Sequence, residues 1–335
     1  MVMTRRIALG LTLMFLFAAM GLGETPRAGA ISLPGGHQHP GGTEPVTARA
    51  YGIRGLAGPP PGGHGRYPAL QSGTIDTELQ AEIEDCLRDQ AGEYGVVIRD
   101  LSAGRTVLIN ADQPFLAAST YKLLVMYRVY QQLEYEELAL NDYVAIYAGD
   151  TEQDGPYSWL GPGDSLSVAE AMEDMITASN NAAAFALARR VGGWHSVESA
   201  AAELGMTQTW LEDGYFWTTP SDMSAFFESL AAGQLLSAEA SSSMTELLER
   251  QRLNDRIPAL LPIEAIAAHK TGSLPGVIND AGIVFGPAGS FAISILTNEV
   301  NEGEAIELIS QIALMAYDRY ASAPEPVPTE PYAIT

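Results

Sequence analysis

Strand-patterned segments in this chain fall into two groups separated by a long run of helical periodicity, and that order limits the fold more than any other feature. Early in the chain, Val96-Val97-Ile98 and Thr106-Val107-Leu108-Ile109 flank the turn Ser102-Ala103-Gly104 as a hairpin. Three late runs, 266–271, 281–285 and 291–297, read as strands, with Gly286-Pro287-Ala288-Gly289 turning between the last two. Between the groups lie helical patterns at 119–136, 166–178, 181–191, 196–204, 221–231 and 237–250. Strands so separated cannot form a simple meander. The late ones are expected to join the early hairpin in one five-stranded antiparallel sheet. A helix opening on a Thr77/Gln80 capping-box pattern and running to about 90, and a final amphipathic helix carrying Ile306, Ile309 and Ile312, would flank that sheet. The middle block becomes an all-helical second lobe, so the fold class is α+β. A cleft between two such lobes is a usual place for a site.

The ends of the chain read differently. Arg5 and Arg6 precede an apolar run from Ile7 to Leu22, and Ala28-Gly29-Ala30 resembles a small-residue cleavage site. Residues 1–30 are therefore expected to be an export signal or an uncleaved N-terminal anchor, which puts the domain outside the cytoplasm. Residues 31–74, rich in Gly and Pro, read as a linker, and its His37, His39 and His64 have no fixed geometry for a metal. The catalytic unit is expected over 75–320, followed by a Pro-rich tail at 321–335. A net charge of -23 excludes a phosphate-backbone partner, because no basic cluster is present to hold one. The single cysteine, Cys86, excludes an internal disulfide and falls at helical spacing with Leu79, Ile83 and Leu87, as a small buried hydrophobe. No metal, cofactor or nucleic acid is expected, and the chain is expected to act as a monomer.

Only two lysines occur, Lys122 and Lys270, against sixteen arginines. A position that needs a proton acceptor cannot use Arg, whose guanidinium stays charged, so each lysine is informative. Lys122 follows Ser119 by three residues at the start of an apolar helical run, and one helical turn brings amine and hydroxyl together. A serine there meets the free N–H groups of the helix start, which favour negative charge developing on an attacked carbonyl. By itself the pattern also fits a Ser cap with a solvated Lys. A second element, Ser179-Asn180-Asn181, lies between two helical patterns, where Ser and Asn also serve as ordinary caps. The third, His269-Lys270-Thr271-Gly272-Ser273, ends an apolar strand. There Gly272 permits close approach to the backbone, and Lys270 with two hydroxyls suits a carboxylate; an edge-strand lysine that discourages aggregation is the alternative.

Taken in this order and spacing, the three elements resemble the S-x-x-K, S-D-N and K-T-G set of class A β-lactamases and penicillin-binding proteins. Phe115-Leu116-Ala117-Ala118-Ser119-Thr120-Tyr121-Lys122 is similar to the family's segment into its active-site helix. Thr218-Thr219-Pro220-Ser221-Asp222-Met223 is similar to the helix start after its omega loop, and Asn279-Asp280 also matches. The resemblance implies that Ser119 is acylated, that Lys122 takes or relays its proton, and that Ser179 passes a proton toward the leaving nitrogen. It implies that Asn181 holds the substrate's amide side chain, that Lys270 and Thr271 bind its carboxylate, and that the backbone N–H groups of Ser119 and Ser273 form an oxyanion hole. The implied substrate is a β-lactam or a peptidoglycan-like molecule.

Three departures from the family pattern stand out. Asn180 replaces the usual aspartate. No Arg or Lys follows Lys270 in the strands to supply a second cation near the substrate carboxylate. Only Met206 to Trp217 occupy the place of the omega loop, and its deacylating glutamate has no clear match; Glu212 and Asp213 are the only acids there. Glu212 is the candidate deacylation acid, weighed against a solvated loop position. A β-lactam hydrolase, a related D-alanyl-D-alanine carboxypeptidase or esterase, and a non-catalytic wall- or drug-binding module remain the three readings, since function resides in the site rather than the fold.

Overall fold

The computed structural model describes residues 73–151 and 159–323. The expected leader, and nearly all of the expected linker and tail, lie outside the described residues. In chain order the elements begin with α1 (Thr77–Leu87), β1 (Glu93–Asp100), β2 (Thr106–Ile109), β3 (Phe115–Leu116), a 3-10 turn (Ala118–Tyr121) and α2 (Lys122–Glu134). There follow β4 (Tyr143–Ala145), α3 (Ala148–Thr151), β5 (Ser165–Ser167), α4 (Val168–Thr177), α5 (Asn181–Arg190) and α6 (Trp194–Glu203). The chain continues through β6 (Trp210–Glu212), β7 (Tyr215–Thr218), α7 (Pro220–Ala231) and α8 (Ala238–Glu249). It ends in β8 (Ile266–Leu274), β9 (Val277–Gly286), β10 (Gly289–Asn298) and α9 (Glu302–Tyr320).

The expected sheet forms, with order β2-β1-β10-β9-β8 and every neighbour antiparallel. The late strands thus join the early hairpin through β1 and β10, where Val97 faces Ser294. Strand alternation divides the core between the two faces. Tyr94, Val96, Ile98, Phe291, Ile293 and Ile295 pack with Leu79 and Ile83 of α1 and Ile309 and Ile312 of α9. The opposite face mixes small residues, Gly95, Ala281, Ala292 and Ser294, with Val97, Ile283 and Leu296, and α7 packs closely against it. A Cβ on Gly95 would lie 2.5 Å from the Phe115 ring and 2.6 Å from Pro220. Each fully buried Ile or Leu on these faces contributes roughly 1.5–3 kcal/mol.

Helix α2 is the axis of the second lobe. Lys122 through Tyr130 are all buried, which requires surrounding on every side rather than one amphipathic stripe. Helices α4, α5, α6 and α8 supply that cover. The buried Arg128 on α2 is matched by both carboxylate oxygens of Glu203, each at 2.7 Å.

Two local expectations are corrected. Asp76, not Thr77, caps α1, accepting from Leu79 N at 3.2 Å, while Arg319 and Tyr320 of α9 hold the same carboxylate. Strand β9 begins at Val277 rather than near 281. The polar pair Asn279-Asp280 obscured its start, yet both are fully buried and their side chains bond within the fold. No helix among the described residues is long and apolar enough to cross a membrane.

Candidate active site

Ser119 stands on the 3-10 turn that joins β3 to α2. Its approach is fixed from three sides. Ala117 N donates to Phe216 O at 2.8 Å, and the Asn279 amide donates to Leu116 O at 2.8 Å and Ala117 O at 3.2 Å. Thr120, fully buried, closes the turn by donating its hydroxyl to Ala117 O at 2.7 Å. Within this frame Ala118 takes φ 45°, a left-handed conformation that costs a non-glycine residue about 1–3 kcal/mol and persists only where neighbours over-determine it. Gly272 of β8 lies against the same turn. A Cβ there would sit 2.9 Å from Ala117 O and 3.1 Å from Ser119 N, so glycine is needed for this approach.

Lys122 opens α2 and is fully buried. Its amine donates to Ser179 O at 2.5 Å, to Asn181 Oδ1 at 2.7 Å and to Ser179 Oγ at 3.2 Å. Ser179 lies where α4 gives way to α5, at φ 57°. Asn180, in place of the family's aspartate, caps α5 by accepting from Ala183 N at 2.8 Å. That role explains the departure: an amide oxygen caps as well as a carboxylate. Lys270, also fully buried, donates to Ser179 Oγ at 3.0 Å and to Thr271 O at 2.8 Å. One hydroxyl therefore bridges both lysines of the chain. Its two lone pairs can accept from both amines while its own proton points elsewhere. Burial pushes the Lys270 amine down to about 7, with Arg256 adding to the fall and Asp280 opposing it.

Strand β8 is an edge of the sheet, and its unpaired side faces the Ser119 turn. Ser273 opposes Ile278, whose N–H and C=O both bond the Thr297 hydroxyl, at 2.8 and 2.9 Å. In an antiparallel ladder the two groups of one residue point to the same side. Ile278 thus turns away from β8, and the Ser273 N–H is left pointing off the sheet edge, on the side of Ser119.

A second cation stands beside β8, from before Lys270 in the chain. Arg256, only 5% exposed, donates through Nη1 to Gly272 O at 3.0 Å and Asn279 O at 2.7 Å, and through Nη2 to Ser273 Oγ at 2.6 Å. Among the described residues its ion pair is with Asp255 at 3.4 Å, whose side chain is half exposed. Sequence patterning could not single it out among Arg250, Arg252 and Arg256, since only the docking of its loop on the sheet buries it.

Glu212 is not brought to this group. The shortened segment forms a hairpin, β6 with β7, in which Leu211 faces Phe216 and Glu212 faces Tyr215. Phe216 is buried and stacks on Tyr121 at 5.4 Å, while Trp210 and Trp217 stack on the other side at 6.2 Å. Glu212 is exposed next to the turn and accepts from the Trp210 indole at 3.2 Å; Asp213 is the turn residue at φ 51°. Among the described residues no group of three or more His, Cys, Asp or Glu is placed to hold a metal ion.

A serine on a strained turn, two buried lysines on one serine hydroxyl and an outward N–H on an adjacent sheet edge suit a serine hydrolase of the acyl-transfer kind. The model of the beta-lactamase enzyme family matches residues 78–320, and the chain belongs to that family. It is 27% identical over 254 residues to a β-lactamase of Streptomyces lavendulae, covering 69% of this chain and 81% of that protein. It is also similar to a β-lactamase from Sphaerobacter thermophilus (28% identity, TM-score 0.68, 73% of this chain and 98% of the other). A leucine-to-glutamate variant of PBP-A, solved as the acyl-enzyme with penicillin G, is similar too (25% identity, TM-score 0.69, 73% of this chain and 97% of the other).

Proposed function

We propose that the protein is acylated at Ser119 by β-lactams and that hydrolysis of the ester so formed is its slow step. The observation that carries this reading is the Ser179 hydroxyl bridging Lys122 and Lys270. Once the Lys122 ammonium has released one proton to solvent, Ser119 Oγ bonds to the lactam carbonyl carbon as its proton passes to the resulting neutral amine. The N–H groups of Ser119 and Ser273 receive the developing oxyanion. When the C–N bond breaks, the nitrogen takes the Ser179 proton, which a lysine ammonium on the same hydroxyl replaces. Two ammonium groups sharing one hydroxyl repel by about 3 kcal/mol at an effective dielectric of ~20 and a separation of ~6 Å, which favours a neutral amine at this site. Lys270, Thr271 and Arg256 receive the substrate carboxylate, and Asn181 its amide side chain.

The second half-reaction needs a base for water, and the hairpin presents none to the cleft. That favours, as a second reading, a D-alanyl-D-alanine carboxypeptidase or esterase, which shares every acylation residue and whose peptide substrates also carry a carboxylate. A non-catalytic binding module has no need of a nucleophile with two buried amines. The chain is proposed to be a monomer whose catalytic unit spans 75–320, exported by its first 30 residues or anchored through them. Time-resolved mass spectrometry with penicillin G tests the main reading. A single covalent adduct on the Ser119 peptide, decaying over minutes or longer, is expected; no adduct, or the same adduct on Ser119→Ala, overturns it.

A further inference from the structure

Immediately before Lys270, His269 is almost fully buried, and neither the acyl-transfer steps nor the carboxylate contacts use it. Its Nδ1 lies 2.9 and 3.0 Å from the two carboxylate oxygens of Asp280, and its Nε2 lies 3.0 Å from Asn254 Oδ1. The same Asp280 carboxylate accepts the backbone N–H of Ile257 at 3.1 Å. Both arms of the imidazole therefore end on the segment 254–257, one directly at Asn254 and one through Asp280 at Ile257. Between those two anchor points stands Arg256, the cation that reaches Ser273. Removing His269 leaves the buried Asp280 carboxylate and the Asn254 amide each short of a partner, while the Ile257 N–H still bonds Asp280, so an apolar side chain of the same shape cannot stand in for the imidazole.

We propose that His269 is a positioning residue which, through Asn254 and Asp280, fixes both ends of the loop that aims Arg256 at the carboxylate of the substrate. His269 so acts on specificity rather than on bond making. It lies behind Lys270 on the strand, and Arg256, not Ser119, is at the end of its hydrogen-bond chain. Losing it frees the guanidinium to leave Ser273, and the enzyme then loses its preference for acyl donors that carry a negative charge.

The proposal rests on the reading that this cleft is acylated at Ser119 and binds a carboxylate, so the experiment separates the two. Acylation rates of the full chain are measured with penicillin G and with its methyl ester, after a fluorophosphonate has counted the competent Ser119. Failure of the fluorophosphonate or of penicillin G to label wild-type Ser119 would sink the function, not the latch alone. In His269→Ala the ratio of acid to ester rates is expected to fall about tenfold or more, toward that of Arg256→Met. The double variant His269→Ala/Arg256→Met should have the same ratio as Arg256→Met by itself, because the two residues act as one unit. Asn254→Ala, which alters an exposed side chain and leaves the buried pair intact, should lower the ratio about threefold with the labelled fraction unchanged. Acid and ester rates falling together in His269→Ala and in Asn254→Ala, or ratio losses that multiply in the double variant, would show that His269 merely supports the sheet.

Discussion

Raising the pH from 6 to 9 should weaken acylation by carboxylate-bearing β-lactams through Lys270. This amine is held down to about 7 by its burial and by Arg256, against 10.5 when unperturbed. Its charged form, which the substrate carboxylate needs, is therefore present below 7 and falls tenfold per unit above it. A hydrogen bond to a charged group is worth ~1.5–3 kcal/mol, so its loss corresponds to roughly 10- to 150-fold. The second-order acylation rate, which reports the free enzyme, should fall above pH 7 with a slope approaching one and level off within that range, where Arg256 still serves. Stability moves the opposite way. The unfolded chain binds more protons than the native one between pH 7 and 10.5, so this group's contribution to stability rises through that window by about 1.4 kcal/mol per unit. Lys270→Arg keeps a charge that does not titrate. Stopped-flow acylation with penicillin G should show the alkaline limb in the wild type and not in Lys270→Arg, with only a modest loss at pH 6. A limb of the same position in the variant would show that another group titrates. The same limb with the methyl ester would move Lys270 from carboxylate binding to the proton relay.

Four further outcomes follow from the geometry. Lys122→Arg should cost about 10²- to 10⁴-fold in acylation, measured with a chromogenic cephalosporin, since a guanidinium cannot accept the Ser119 proton. Gly272→Ala would place a Cβ 2.9 Å from Ala117 O, displace the sheet edge from the Ser119 turn and cost ~10²-fold in the same assay. Asn279→Ala leaves Leu116 O and Thr297 N without their 2.8 and 2.9 Å partners, for a loss of roughly 3 kcal/mol in urea unfolding. Glu212→Gln and Asp213→Asn should leave the adduct lifetime within about twofold of the wild type by mass spectrometry; rapid turnover that collapses in Glu212→Gln would restore the hairpin acid as the base.

The architecture was legible because periodicity survives folding. Residues with period two, such as Phe291, Ile293 and Ile295, share one face of the sheet, and the helical block between the strand groups could only become a second lobe. The lysines were legible for a different reason: in a chain with sixteen arginines and two lysines each lysine stands out, and the one three residues after a serine marks a position suited to an amine that can lose its proton. What escaped was set by long-range contacts. Arg256 becomes part of the site by docking across β8 and β9, and His269 acquires its role from Asp280 and Asn254, 11 and 15 residues away in sequence. The Trp210–Thr218 hairpin escaped because its strands are three and four residues long, too short for alternation to register.

That hairpin also explains why an acid at position 212 cannot simply turn inward. Trp210 and Glu212 share one face of β6, and Leu211 lies on the other, opposite the buried Phe216. Turning Glu212 over by sliding β6 one residue would send Leu211 outward and Trp210 inward with it, because register and facing are locked together. Turning out Leu211, which packs against the core opposite Phe216, costs up to about 1.5–3 kcal/mol and leaves a polar side chain against Phe216. The base of the hairpin resists the slip as well: the Thr209 and Thr218 hydroxyls meet at 2.8 Å, and Asp222 accepts from Thr209 Oγ1 at 2.7 Å and from Gln208 N at 2.9 Å. Burial raises the Asp222 carboxyl, so this anchor is itself an acid kept from water rather than a base offered to it. A base for deacylation would thus require extra residues in the loop, not a rotation of those present, and the proposed mechanism accordingly expects a long-lived ester on Ser119.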